Sequence, residues 1–202
     1  MTLKALLLLI LAYLLGSVPF GVIVTRLFSN VEVTKAGSKN IGAYNVFRLT
    51  GARLGLVTLA GDFLKGAVPV WLGMSWLGMS DWKGLLWISL VALAAFLGHL
   101  FSVFLGFKGG KGVATAAGCF LILSPMAFLV GLLVYILVVC SLGYSSAGSL
   151  SATAVLPFVV WLDSHSPILT TLAAVITVII YIKHTDNIRR LLEGTEHSSF
   201  RT

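Results

Sequence analysis

Residues 113–141 read "VATAAGCFLILSPMAFLVGLLVYILVVCS". As one helix this stretch would run about 43 Å at about 1.5 Å per residue, against a bilayer hydrocarbon core of about 30 Å. It also contains "LSPMA" at 123–127, where proline lacks an N–H and disfavours a helical residue before it. The pattern predicts two helices, about 113–123 and 126–142, and this break decides how many times the chain crosses a membrane.

That a membrane is involved follows from composition. Of 202 residues 58% are hydrophobic and only 10% charged, against about 25% charged in a soluble domain; mean hydropathy is +1.01. Several apolar stretches approach the roughly 17 to 25 residues of a spanning helix, and no alternation over about ten residues points to a barrel. The fold class is an all-α integral membrane bundle, expected as a single domain over 1–202. The stretch "LLLLILAYLLGSVPFGVIV" at 6–24 exceeds a signal-peptide core of about 7 to 15 residues, and is expected to be a retained first span. Cys119 and Cys140 lie in apolar sequence, where burial as small hydrophobes is expected.

Most of the lysines and arginines cluster in three regions: Arg26, Lys35, Lys39, Arg48 and Arg53; Lys108 and Lys111; and Lys183, Arg189, Arg190 and Arg201. The positive-inside rule places all three on the cytoplasmic side. Spans over about 3–25, 54–73 and 84–105, with a short outer turn at "MSDWKG", return the chain to that side at "GFKGGKG" (106–112). Between Val113 and Ile182 there is no lysine or arginine, so parity decides. A cytoplasmic tail requires an even number of crossings after Lys111; splitting 113–141 and adding 149–163 and 166–183 makes four. The expectation is seven spans, with the amino terminus outside and the carboxyl terminus inside. A five-span alternative has one long tilted helix and keeps the parity only by dropping another span from the membrane.

Four polar clusters then share one membrane face. In "AGSKNIGAYNVFR" (36–48), Gly37 and Gly42 allow close turns while Ser38, Asn40, Asn45 and Arg48 supply donors; such turns can form anion-binding nests, or simply a solvated loop. In "GDFLKG" (61–66), Asp62 and Lys65 are three apart and can meet on one helix face, as a structural ion pair or part of a site. "GFKGGKG" is not a nucleotide-binding P-loop, because Leu105 and Gly112 stand where that pattern needs glycine and Ser or Thr. Glycines that permit close approach, a lysine charge and an imminent helix start still suit a phosphate. The fourth cluster pairs "YSSAGS" (144–149) with "KHTDN" (183–187).

The motifs "GSKNIGAYNVFR", "GDFLKG", "HLFSVFLGFKGGKGVAT", "YSSAGSLSA" and "HTDNIRRLLEGTE" resemble, in order and spacing over nearly the whole chain, the bacterial membrane acyl-phosphate:glycerol-3-phosphate acyltransferases. The resemblance implies a seven-helix bundle in the bacterial cytoplasmic (inner) membrane, with its site facing the cytoplasm. It implies transfer of a fatty acyl group from acyl phosphate to the 1-hydroxyl of glycerol 3-phosphate, giving lysophosphatidate and phosphate in phospholipid biosynthesis. By position it implies substrate contacts at Ser38, Arg48 and Ser149, with Lys111, His184 and Asn187 completing the site and Gly37, Gly109 and Gly110 shaping its backbone. Acyl phosphate, glycerol 3-phosphate and membrane lipid are the implied partners, together with the enzyme that forms the acyl phosphate. No cofactor, metal or nucleic acid is implied. The chain departs from the usual pattern at Lys39, where glycine is typical, at Tyr44, and at Gly61, where leucine is common.

Two other readings compete. Acyltransferases using thioester donors carry His-x4-Asp, but Phe104, Thr170 and Arg189 follow His99, His165 and His184 at that spacing. A small organic-anion transporter would place its polar residues at mid-bilayer, whereas here they gather at one face. A divergent acyltransferase with another acceptor is the nearer alternative.

Overall fold

In the computed structural model of the chain, residues 2–78 and 81–198 are described; Met79 and Ser80 of the expected outer turn, and Arg201 of the basic tail, lie outside them. The regular elements among the described residues are helical: α1 (Thr2–Ser17), α2 (Phe20–Phe28), α3 (Ala43–Thr50), α4 (Ala52–Leu77), α5 (Trp82–Leu100), a 3-10 turn (Val103–Leu105), α6 (Val113–Leu123), α7 (Pro125–Leu142), α8 (Ser145–Ser164), α9 (Pro167–Lys183) and α10 (Thr185–Leu192). They fall into two compact units, residues 1–122 and 123–202.

In the first unit α1 and α5 run parallel. Leu8 and Ala12 pack with Val91 and Ala95, and Ser102 Oγ donates to the Ser17 carbonyl at 2.5 Å. Helix α4 runs the other way: Gly73 lies by Leu8, while Lys65 Nζ reaches the Val18 carbonyl at 2.9 Å. The loop before α4 and the loop after α5 therefore leave the unit at the same end. The expected first span is broken, because Val18 and Pro19 interrupt it and turn α2 by 41° from the preceding helix.

In the second unit α7, α8 and α9 form an up–down–up array. Tyr135 Oη meets Ser145 Oγ at 2.9 Å near one end of the α7–α8 pair, and Ser124 Oγ donates to Asp163 Oδ2 at 2.5 Å at the other. Thr177 Oγ1 bonds the Thr153 carbonyl at 2.9 Å and Tyr181 Oη the Leu150 carbonyl at 3.1 Å, tying α9 antiparallel to α8. The break in 113–141 falls where the proline predicts it: Ser124 caps α7, accepting from Ala127 N, and Pro125 occupies its first turn.

Four helices are each long and apolar enough to cross a membrane, and the bent pairs α1–α2 and α9–α10 meet the same test together. The chain is a helical membrane protein. Helix α6, with 11 residues, is about 16 Å long, roughly half a hydrocarbon core. Two further features differ from expectation. The stretches read as loop and tail contain α3 and α10, both short and amphipathic, with buried Asn45 and Asn187 facing inward. Cys140 is exposed rather than buried, because only 11% of the α7 window is covered within the protein; such an apolar surface suits lipid.

Candidate active site

In the first unit the basic loop is anchored by a small apolar core of Val22, Val33, Ile41 and Val46. Asn45, at 2% exposure on α3, knots the loop around its amide. Its Oδ1 accepts from Ser38 N at 3.0 Å, and its Nδ2 faces the carbonyls of Asn40 (2.9 Å), Ala36 (3.2 Å) and Val33 (3.3 Å). Gly37, at φ +59°, is required here, since a Cβ would collide with Asn45 Oδ1. The wrap leaves the Ser38 side chain exposed, and Arg48 is exposed three residues beyond Asn45 on α3. Asn40 is half-buried, its carbonyl held by Asn45.

Leu105, in the turn after α5, packs on the same apolar core. From there "GFKGGKG" folds back onto the end of α5: Phe107 N donates to the Ser102 carbonyl at 2.8 Å, Gly109 N to Leu100 at 3.1 Å and Gly110 N to His99 at 3.1 Å. The two glycine N–H groups thus serve helix carbonyls. What the loop offers an anion is Lys111, half-buried, and the start of α6 two residues later, where the first N–H groups lack helical partners and carry the positive dipole end. Lys108 is exposed.

In the second unit α10 packs against α8 and α9. His184 is 3% exposed, with Nδ1 2.8 Å from the Ile180 carbonyl. A carbonyl only accepts, so Nδ1 carries a proton, and whenever the ring is neutral the lone pair is on Nε2. Asn187 Nδ2 donates to Glu196 Oε1 at 2.6 Å, Ser146 Oγ to the same oxygen at 2.8 Å and Arg190 Nε to Oε2 at 2.7 Å. Burial pushes the Glu196 carboxyl up, but these three hydrogen bonds and the Arg190 charge outweigh it and hold the group below its ordinary value. Ser149, three residues after Ser146 on α8, is buried and returns its hydroxyl proton to the Ser145 carbonyl at 2.9 Å.

Within each unit the expected residues gather at one end. Glu196 is not marked by charge alone, because a carboxylate in a charged tail looks like ordinary solvation; its place at the end of "HTDNIRRLLEGTE", after a turn at Gly194 (φ +70°), is the signal that finds it.

The sequence model of the glycerol-3-phosphate acyltransferase family matches residues 6–194. The glycerol-3-phosphate acyltransferase of Geobacter sulfurreducens is 47% identical over 195 residues, covering 96% of this chain and 97% of that one. The one from Geobacter metallireducens is 50% identical over 186 residues, covering 92% and 93%. Crystal structures of PlsY, an integral membrane glycerol 3-phosphate acyltransferase, in its glycerol 3-phosphate and lysophosphatidic acid forms, superpose with TM-scores of 0.91 and 0.88 at 37% identity, covering 96% of this chain and 95% of those. With match, coverage and fold in agreement, the chain belongs to the glycerol-3-phosphate acyltransferase family.

Proposed function

We propose that this chain acylates the 1-hydroxyl of glycerol 3-phosphate with an acyl phosphate, giving lysophosphatidate and inorganic phosphate in phospholipid biosynthesis. The observation that carries this reading is the position of Lys111 and the α6 start at the same end of the first unit as exposed Ser38 and Arg48. These donors suit a phosphate dianion. Ser38, Arg48 and Lys111 bind the glycerol phosphate; Gly37, Gly109, Gly110, Asn40 and Asn45 act by shaping the two loops. Ser149 completes the substrate contacts.

Acyl phosphate is a mixed anhydride. The hydroxyl oxygen attacks the acyl carbon, the carbon–oxygen bond to phosphate breaks, and phosphate departs with the electron pair. His184 Nε2 takes the hydroxyl proton, supported by the tautomer that the Ile180 carbonyl imposes; the acceptor's own phosphate is the alternative base. Asn187 orients the acceptor, and Lys111 stabilises charge on phosphate. No covalent enzyme intermediate is required. Acyl phosphate hydrolyses in water, so the reaction that forms it is the natural neighbouring partner.

The chain acts as one acyltransferase domain over 1–202 in the bacterial inner membrane, with seven crossings, amino terminus outside and site facing the cytoplasm. Charge distribution and parity support this. Cysteines placed at exposed Met126 and Ser141, in a cysteine-free background, test it: impermeant thiol reagent added outside labels position 126 and spares 141. Equal protection of both sinks the seven-span count. For activity, purified protein in detergent is given acyl phosphate and glycerol 3-phosphate while lysophosphatidate and phosphate are measured. Phosphate release without acylated product refutes acyl transfer, and full turnover by Lys111→Ala removes the role of that lysine.

A further inference from the structure

Behind the glycine–lysine loop lies a chain of buried polar groups that the reaction does not itself require. Lys65 Nζ is 2.7 Å from Asp62 Oδ1, both side chains being 2% exposed. The same ammonium donates to the Val18 carbonyl at the break between α1 and α2. On the other side, His99 Nδ1 lies 3.5 Å from Asp62 Oδ1 and 3.2 Å from Thr115 Oγ1. The Thr115 hydroxyl donates to the Asp62 backbone carbonyl at 2.9 Å, so its oxygen accepts, and His99 Nδ1 is the donor facing both oxygens.

On the side away from Lys65, His99 and Thr115 each reach a segment that flanks Lys111. The His99 carbonyl receives the Gly110 N–H, and the His99 ring fills the space where a Gly110 side chain would stand. Thr115 sits in the first turn of α6, four residues after Lys111. A buried ion pair is a weak source of net stability compared with apolar packing, and ionisable groups within membrane helices usually mark function. Its use here is orientation: the Thr115 hydroxyl holds the imidazole beside the Asp62 carboxylate, and the imidazole and its carbonyl hold the loop.

We propose that Asp62 and His99 are positioning residues that set Lys111 for the phosphate of glycerol 3-phosphate, an inference that rests on the loop binding that phosphate. Neither touches substrate; they act through the Gly109–Lys111 backbone and the α6 start.

The test compares Asp62→Asn, His99→Gln and Thr115→Val with the parent enzyme, measuring KM for each substrate, kcat and Tm. Thr115→Val removes the hydroxyl's links to His99 and to the Asp62 backbone carbonyl while leaving the Asp62–Lys65 pair intact, so it remains informative if Asp62→Asn fails to fold. The expected result is KM for glycerol 3-phosphate raised about tenfold in Asp62→Asn and about threefold in Thr115→Val, with KM for acyl phosphate unchanged. Unchanged KM for glycerol 3-phosphate in Thr115→Val and His99→Gln overturns the proposal. So does a uniform loss, in which both KM values, kcat and Tm shift together. Lys111→Ala separates the premises: if it binds glycerol 3-phosphate normally, the loop reading itself fails; if it is impaired while the network variants are normal, only the positioning role fails.

Discussion

Asn187 Nδ2 donates to Glu196 Oε1 at 2.6 Å, and the other carboxylate oxygen of Glu196 takes Arg190 Nε at 2.7 Å. One carboxylate thus anchors the proposed acceptor-orienting amide, the α10 helix and, through Ser146, the start of α8. In Glu196→Gln one amide end presents N–H donors toward Arg190 or Asn187, so two donors face each other. The expected outcome is a kcat about tenfold lower, as Asn187 loses its setting, and stability lower by about 1–2 kcal/mol. Steady-state kinetics and thermal unfolding check both.

The same carboxylate predicts a pH dependence. Its folded value lies below the ordinary 4.5, so the folded state favours the charged form, and the unfolded chain binds the proton more readily. The stabilisation is therefore fully present above about 4.5 and is lost as pH falls through the lower folded value. The stability gap between parent and Glu196→Gln should be constant near neutrality and close below that range. A gap that persists under strongly acid conditions contradicts the assignment.

Lys39 adopts φ +56°, a left-handed conformation that costs a side-chain-bearing residue about 1 kcal/mol and glycine little. The motif that this stretch resembles typically has glycine at this position. Lys39→Gly should raise Tm by about 2 °C, discounted for glycine's greater freedom in the unfolded chain. A lowered Tm would mean that the Lys39 side chain contributes more than the strain it imposes.

The helix break was legible in the sequence because Ser124 and Pro125 stand side by side in a segment too long for one crossing, and a capping hydroxyl with a donorless residue after it is a local signal. The Asp62–Lys65 pair was legible too, since three-residue spacing suffices. Helices α3 and α10 were not: at eight residues each, with charged faces, they carry no membrane signature and look like loop. The Thr115–Asp62 link joins positions 53 apart, which only tertiary packing brings together. The resemblance has Gly109 and Gly110 shaping the anion-binding backbone; that their N–H groups serve α5 carbonyls depends on where α5 ends, which hydropathy does not mark.

Ser124 offers a contrast between stability and chemistry. It caps α7 and donates to Asp163 at the end of the second unit opposite His184. Ser124→Ala should destabilise by about 1–2 kcal/mol through the lost cap and the stranded carboxylate partner. Thermal unfolding should register the change, while kcat and both KM values stay at parent levels at temperatures where the protein is folded. Altered KM would show that this end of the unit communicates with the site.

Gly110 is the position where the loop has least room. A Cβ there would run into His99 Nε2, and the imidazole cannot retreat without leaving Thr115 and Asp62. Because His99 also holds Gly110 through its carbonyl, the backbone rather than the ring must give way, carrying Lys111 with it. Gly110→Ala should therefore raise KM for glycerol 3-phosphate about tenfold or more, with a smaller change in KM for acyl phosphate. The double variant Gly110→Ala/His99→Ala clears the space, so the two substitutions should combine to less than the product of their separate effects. Effects that multiply independently would show that Gly110 does not act through the imidazole, and would leave its packing against His99 as mere proximity.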